Sequence, residues 1–227
     1  SHDPRSIALM LLMPAMLVGL FAWLFSDQDG AFDQFGGPIL ALFPFILMFV
    51  VTSVTTLRER RSGTLERLMT TPLGKADFIL GYALAFGLMA ILQALITVGF
   101  AVMVCGLKVD GPSWQLGLVA VLDALLGTGL GLFASAFART EFQAVQFMPV
   151  FVFPQILLGG LLMPRDQMPD ALTTISDWLP LSYAIDAVNA VAAGSEGWDL
   201  GKPRIVIGAV TVASLLLAAL ALRRRTP

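Results

Sequence analysis

The sequence predicts an all-α membrane protein with six transmembrane helices, and three observations support this fold class. Hydrophobic residues make up 57% of the 227 residues and charged residues only 13%, whereas soluble domains average about 45–50% and about 25%. Six apolar runs are each long enough to cross a hydrocarbon core of about 30 Å, which takes about 20 helical residues. The runs are continuous instead of alternating in polarity, which favours helices over a β-barrel.

The six predicted spans follow one another along a chain that we predict to be a single membrane domain over residues 1–227. The third and fourth runs are longer than a bilayer requires, so we expect them to tilt or to extend into the interface. The spans are predicted at residues 7–25, 39–57, 78–107, 114–138, 145–163 and 205–222.

The basic residues predict how these spans are oriented. With the N-terminus in the cytoplasm, ten of the fourteen lysine and arginine residues lie inside. The other four, Lys108, Arg165, Lys202 and Arg204, lie outside. Membrane proteins carry an excess of basic residues in their cytoplasmic loops. We therefore expect both termini to be cytoplasmic.

The polar segment between the second and third spans has the pattern of a short amphipathic helix over about residues 62–72. Leu65, Leu68 and Met69 share one helical face because they are spaced i, i+3 and i+4. Pro72 disfavours helical backbone at the residue before it and ends the element. Two interpretations follow: a solvated loop that obeys the charge rule, or a docking helix whose apolar face fits a groove in a soluble partner.

The run from Arg60 to Leu73 reads RRSGTLERLMTTPL and resembles the signature of ABC-2 type permeases. These are the membrane subunits of bacterial ATP-binding-cassette exporters, including the daunorubicin-resistance type. The resemblance implies a coupling helix that sits in a cleft of a nucleotide-binding subunit, a second permease copy or close homologue, and a place in the bacterial cytoplasmic membrane. The coupling residues that it implies are Glu59, Gly63, Thr64, Leu65, Glu66, Arg67, Leu68, Thr71 and Pro72.

A second polar segment precedes the last span and predicts two short extracellular helices within about residues 170–193. We expect Asp170 to cap a helix over Ala171–Trp178 and a second helix to cover Tyr183–Ala193. Both are too short to span a bilayer, which predicts re-entrant or interfacial helices. The family's last extracellular region is similar at Met168, Pro169, Ile175, Leu179, Pro180, Leu181, Tyr183, Asp186 and Ala187, and Asn189 stands where that pattern has arginine.

Polar residues within the predicted spans are few. Asp123 lies in the fourth span, where a carboxylate costs roughly 2.5–3.5 kcal/mol on insertion scales. It is either a proton or cation site, or a group that makes an interhelical hydrogen bond or simply lies near the outer interface. Gly127, Gly131 and Ser135 form a stripe of small residues on the same span, which predicts close helix packing.

The resemblance also suggests a substrate pathway. In exporters of this architecture the second and fifth spans of two subunits face a central cavity. The candidate lining residues on those spans are Phe49, Phe151, Gln155, Leu157 and Leu158.

The sequence carries no catalytic, cofactor-binding or metal-binding pattern. Gly74-Lys75-Ala76 lacks the earlier glycine and the hydroxyl of a phosphate-binding loop, and a single histidine and a single cysteine assemble no metal or nucleophile site. We therefore expect a non-enzymatic chain whose ATP and Mg²⁺ are bound by a separate ATPase subunit. The near-zero net charge argues against a nucleic-acid partner.

Several function hypotheses remain open at this point. The first is the permease subunit of an exporter for amphipathic drugs or lipid-like molecules. An exporter of polysaccharide or glycolipid would have the same architecture. A proton-coupled secondary transporter using Asp123 is a third hypothesis, although no inverted repeat is evident. A membrane enzyme acting on lipid is a fourth, which the missing catalytic cluster disfavours.

Overall fold

The computed structural model describes residues 4–28, 30–61, 75–195 and 197–221 of the chain. Those residues contain eight α-helices, a 3-10 turn at Arg165–Gln167 and no strand. Six of the helices are long and apolar enough to cross a membrane, which confirms the predicted all-helical fold with six candidate membrane helices. The helices are α1 (Pro4–Leu24), α2 (Ala31–Arg61), α3 (Lys75–Met103), α4 (Ser113–Phe137), α5 (Glu141–Leu158), α6 (Asp170–Ser176), α7 (Pro180–Ala192) and α8 (Trp198–Ala221).

The centre of the bundle is the contact between α2 and α4, which run in parallel. A Cβ atom added to Gly127 of α4 would lie 2.4 Å from the backbone oxygen of Phe45, and one added to Gly131 would lie 2.6 Å from that of Phe49. Because glycine has no side chain, the backbones of α2 and α4 are in direct contact at these two positions. The stripe of small residues on α4 is the packing surface for α2.

The bundle has two ends that differ in chemistry. At the Arg58 end, α2 finishes beside the start of α5, and Arg58 pairs with Glu141. At the Arg165 end, α5 finishes beside α6 and α7, and Arg165 pairs with Asp186. Successive spans run in opposite directions between these two ends. Because α5 runs toward the Arg165 end, α6 and α7 follow it there.

The second span, predicted at 39–57, is shorter than α2, and two other predicted spans end later than the helices that the structure contains. α3 ends at Met103 instead of continuing to residue 107, and α5 ends at Leu158 instead of residue 163. Gly106 has φ 70° and Gly160 has φ 93°, which are left-handed conformations that stop a right-handed helix. Apolar composition therefore placed the C-terminal ends of both helices too late, because it does not register a change of backbone direction.

The two short helices near the Arg165 end lie close to where the sequence predicts them. Pro169 is the N-terminal cap residue of α6, and Asp170 is its first helical residue without a capping hydrogen bond. The predicted capping by Asp170 is therefore wrong, although a first-turn carboxylate remains favourable for the helix dipole. Pro180 begins α7 at its first position, where its missing N–H has no cost.

Backbone hydrogen bonding is interrupted twice within α5. This helix has 18 residues and contains both Pro149 and Pro154. A proline removes the N–H that would bond to the carbonyl four residues earlier, so the carbonyls of Val145 and Val150 lose their helical donors. Both interruptions lie in the middle of the span.

Candidate functional site

The Arg58 end is the part of the structure next to the predicted coupling segment. Most of the predicted coupling residues lie outside the described residues, and only Glu59 lies within them, in the last turn of α2. Docking by this segment stays a prediction. The predicted residues outside the described ranges are Gly63, Thr64, Leu65, Glu66, Arg67, Leu68, Thr71 and Pro72.

Charged side chains join three helices at the Arg58 end. The Nε atom of Arg58 donates to Oε1 of Glu141 at 3.0 Å, and its terminal nitrogen donates to Oε2 at 2.8 Å. Arg60 donates to the backbone oxygen of Ser135, in the last turn of α4. The last turn of α2 is therefore bonded both to the start of α5 and to the end of α4.

The aromatic pathway candidates lie at the contact between α2 and α5. The ring centroids of Phe49 and Phe151 are 5.9 Å apart, and those of Phe147 and Phe151 are 6.4 Å apart. Phe49 is fully buried within the single chain, whereas Phe151 is partly exposed. The structure thus brings these two predicted residues together, and a role in a substrate pathway stays a prediction.

The remaining pathway candidates have different environments. Gln155 is buried, and its side-chain nitrogen donates to the backbone oxygen of Phe151 at 2.7 Å. Its side-chain oxygen accepts from the backbone N–H of Leu181 at 3.0 Å, which satisfies one free donor at the start of α7. Leu157 is exposed. Leu158 is half-buried, and its backbone oxygen accepts from the Ser176 hydroxyl at 2.6 Å.

A charged cluster at the Arg165 end was not predicted. The guanidinium of Arg165 pairs with Asp177 just after α6 and with Asp186 on α7, and it lies 5.6 Å from the ring centroid of Tyr183. The Tyr183 hydroxyl donates to the backbone oxygen of Asp177 at 2.9 Å. Burial raises the pKa of Asp186, and Arg165 offsets that shift only in part. The sequence signal for this charged cluster is weak, since only Tyr183 and Asp186 belong to a recognised pattern.

A cavity of about 440 Å³ opens beside this cluster. Asp199 and Lys202 of α8 also line it, so the cavity lies where the Arg165 cluster meets the start of the last span. Its walls carry both signs of charge.

Asp123 is fully buried in the middle of the bundle. Neither of its carboxyl oxygens has a hydrogen-bond partner among the residues that the structure describes. The same holds for both side-chain polar atoms of Gln93 on α3. Of the described residues, no group of three or more His, Cys, Asp or Glu side chains could hold a metal ion. Asp123 is therefore the most isolated ionisable group of the described spans.

Comparison with known proteins places the chain among transporters. The sequence model of the family "ABC-2 type transporter" matches residues 1–192. This match begins before α1 and ends with α7, so it includes both the predicted coupling segment and the Arg165 cluster.

Curated relatives are similar over much of this chain. "Probable multidrug ABC transporter permease YbhR" of Escherichia coli is 29% identical over 177 residues, which are 76% of this chain and 48% of the relative. "Linearmycin resistance permease protein LnrN" of Bacillus subtilis is 27% identical over 154 residues, which are 66% of this chain and 40% of the relative. "ABC transporter G family member 20" of Dictyostelium discoideum is 24% identical over 168 residues, which are 74% of this chain and 23% of the relative. The chain thus spans half or less of the length of these relatives.

Proposed function

Because the chain belongs to the ABC-2 type transporter family, we propose that it is the permease subunit of an ATP-driven exporter of amphipathic drugs or lipid-like molecules. The observation that carries this proposal is the family match across residues 1–192, which contains five of the six candidate spans. The relatives named for multidrug transport and linearmycin resistance support the substrate class. A polysaccharide or glycolipid is the alternative cargo.

The proposed energy source is a separate ATPase subunit that docks at the Arg58 end. Residues 62–72 would form the coupling helix in a cleft of that subunit, and ATP and Mg²⁺ would bind on the ATPase. This places the Arg58 end and both termini in the cytoplasm, in agreement with the distribution of basic residues. Two permease copies, or one copy and a close homologue, would enclose the pathway, because two-fold pairing is the commonest symmetry of oligomers.

Exposed tryptophan side chains support placing the Arg165 end at a membrane interface, and the distribution of basic residues favours the outer one. Trp23 at the end of α1, Trp114 at the start of α4 and Trp178 after α6 are all exposed. Tryptophan is enriched where the hydrocarbon core meets the headgroups. Leu172 and Ile175 of α6 are exposed apolar residues as well, so we propose that the two short helices are interfacial or re-entrant elements at the outer membrane surface.

The docking proposal predicts loss of the ATPase from the purified complex. The combined change Glu66→Ala and Leu68→Ala removes one charged and one apolar contact, and we expect at least a fivefold fall in the ATPase that copurifies with the tagged permease. The matched control is Asp110→Ala with Leu118→Ala, an exposed acid and leucine near the Arg165 end, which should retain the ATPase. Equal recovery from both double variants would contradict docking by residues 62–72.

Proton-coupled transport is the second candidate function, and the isolated carboxyl group of Asp123 is the observation that favours it. We instead expect Asp123→Asn to keep ATP-dependent efflux of ethidium from cells within twofold of wild type. An amide also avoids the cost of a buried charge, so the melting temperature should not fall. Efflux that persists after deletion of the ATPase gene and stops in Asp123→Asn would support the secondary transporter.

A further inference from the structure

We propose that the Arg58–Glu141 ion pair is a mechanical link that makes α5 move with α2 when the ATPase acts on the coupling segment. This inference rests on the proposed function, because it requires residues 62–72 to receive the motion. It adds a role for two residues outside the family signature. The link would carry motion from the end of α2 to the span that holds the candidate pathway residue Phe151.

The geometry of the pair suits the transmission of force. Two nearly parallel hydrogen bonds of 3.0 and 2.8 Å join the planar guanidinium to both carboxylate oxygens. Such a bidentate contact restrains the orientation of the two groups as well as their distance. The partners are 83 positions apart in sequence, and Arg58 lies four residues before Ser62, where the predicted coupling helix begins.

Hydrogen bonds hold the first turn of α5 together, so a force applied at Glu141 acts on the whole turn. The Thr140 side chain accepts from the backbone N–H of Gln143 at 3.1 Å, which is an N-terminal cap. The Gln143 side-chain oxygen accepts from the backbone N–H of Arg139 at 2.8 Å. Glu141 occupies the first turn, where the helix dipole favours a carboxylate.

The pair is not required to hold the helices together. The Arg58 and Glu141 side chains are 68% and 44% exposed, and exposed ion pairs add little to stability. Beneath them, a small apolar cluster that contains Leu57 and Ala144 already packs α2 against α5. Since packing sets the proximity of these helices, the bidentate contact adds a restraint on their relative orientation. Loss of the pair should therefore uncouple motion without unfolding the protein.

The test measures the movement of α5 directly, without a transported substrate. Cys105, the chain's one cysteine, is replaced with serine, and spin labels are placed at Val150 on α5 and Leu84 on α3, both of which are exposed. The permease is purified with its ATPase, and the distance between the labels is compared before and after trapping with ATP and vanadate. We expect a change in the wild-type pair and at least a threefold smaller change in Arg58→Glu and in Glu141→Arg.

The combined exchange of Arg58→Glu with Glu141→Arg tests the pairing itself. It should restore at least half of the distance change, with incomplete recovery because Arg61 also attracts Glu141. Arg58→Gln and Glu141→Gln, which create no repulsion, should show a smaller loss in the same direction. Lys108→Glu breaks another exposed ion pair, with Asp33 at 4.0 Å, and should leave the change unaltered.

Three results would overturn the link. They are a full distance change in either single charge reversal, no recovery in the exchange, and loss of the copurified ATPase from the Arg58 variants alone, which would make Arg58 a docking residue. ATP hydrolysis by each complex is recorded, and it should stay within twofold of wild type. Failure of the wild-type permease to bind any ATPase would instead contradict the proposed function, and the proposed role of the ion pair would be contradicted as well.

Discussion

Gly127→Ala is expected to lower the free energy of unfolding by about 2 kcal/mol, although it adds a single methyl group. The added Cβ would lie 2.4 Å from the backbone oxygen of Phe45, and a helix backbone cannot rotate away as a side chain can. Overpacking costs about 1–3 kcal/mol, and a clash with backbone falls at the upper end, which leaves about 2 kcal/mol after the gain of about 1 kcal/mol in helix propensity. The measurement is thermal melting of the purified protein in detergent, followed by size-exclusion chromatography.

Matched glycines on neighbouring spans provide the control. A Cβ atom at Gly81 of α3 or Gly208 of α8 would meet nothing within 4 Å. Gly81→Ala and Gly208→Ala should therefore leave the melting temperature unchanged or raise it, because only helix propensity changes. Gly131→Ala, at 2.6 Å from Phe49, should behave like Gly127→Ala. If Gly127→Ala has the same melting temperature as Gly81→Ala and Gly208→Ala, the close contact between α2 and α4 is contradicted.

Arg165→Ala is expected to lower the free energy of unfolding by about 2–3 kcal/mol. This is less than the roughly 3–5 kcal/mol lost when a fully buried ion pair is broken, because Asp177 and Asp186 keep access to water. The Arg165 side chain is only 14% exposed, and its removal leaves two carboxylates near each other. The 3-10 turn, α6 and α7 would lose their common contact, so proteolysis within residues 165–186 should become faster.

The effect of Arg165→Ala should depend on pH. Burial already raises the pKa of Asp186, and removal of the opposing cation raises it further. A folded-state pKa above the unfolded value means that stability is lost as pH rises through the folded pKa. The variant should therefore be closest to wild type in acid and furthest at neutral pH. Lys108→Ala, which removes an exposed pair at the same end, should change stability at neither pH.

The sequence predicts the spans well because lipid imposes one simple requirement on them. A continuous apolar run of sufficient length is enough to identify each helix, and all six runs coincide with long helices. The ends are less predictable, since Gly106 and Gly160 change backbone direction within apolar surroundings. Apolarity and helicity are separate properties at such positions.

The side-chain contacts could be predicted only in part. The small-residue stripe on α4 indicated close packing because the spacing alone places Gly127 and Gly131 on one face. The pairing of Arg165 with Asp186 depends on how two short helices fold over the end of α5, and no local spacing encodes it. Gln155 appeared as a pathway candidate by its place on the fifth span. Its bond to Leu181 depends on the tertiary arrangement of α7.

The two prolines of α5 divide that span into halves with different attachments. The first half is bonded to α2 through Glu141, and the second half is bonded to α7 through Gln155. Between them, the carbonyls of Val145 and Val150 have no helical donor, so bending at this point strains fewer hydrogen bonds than it would in an uninterrupted helix. The two halves can therefore differ in tilt while each keeps its own attachment, and α5 as a whole need not behave as a rigid rod.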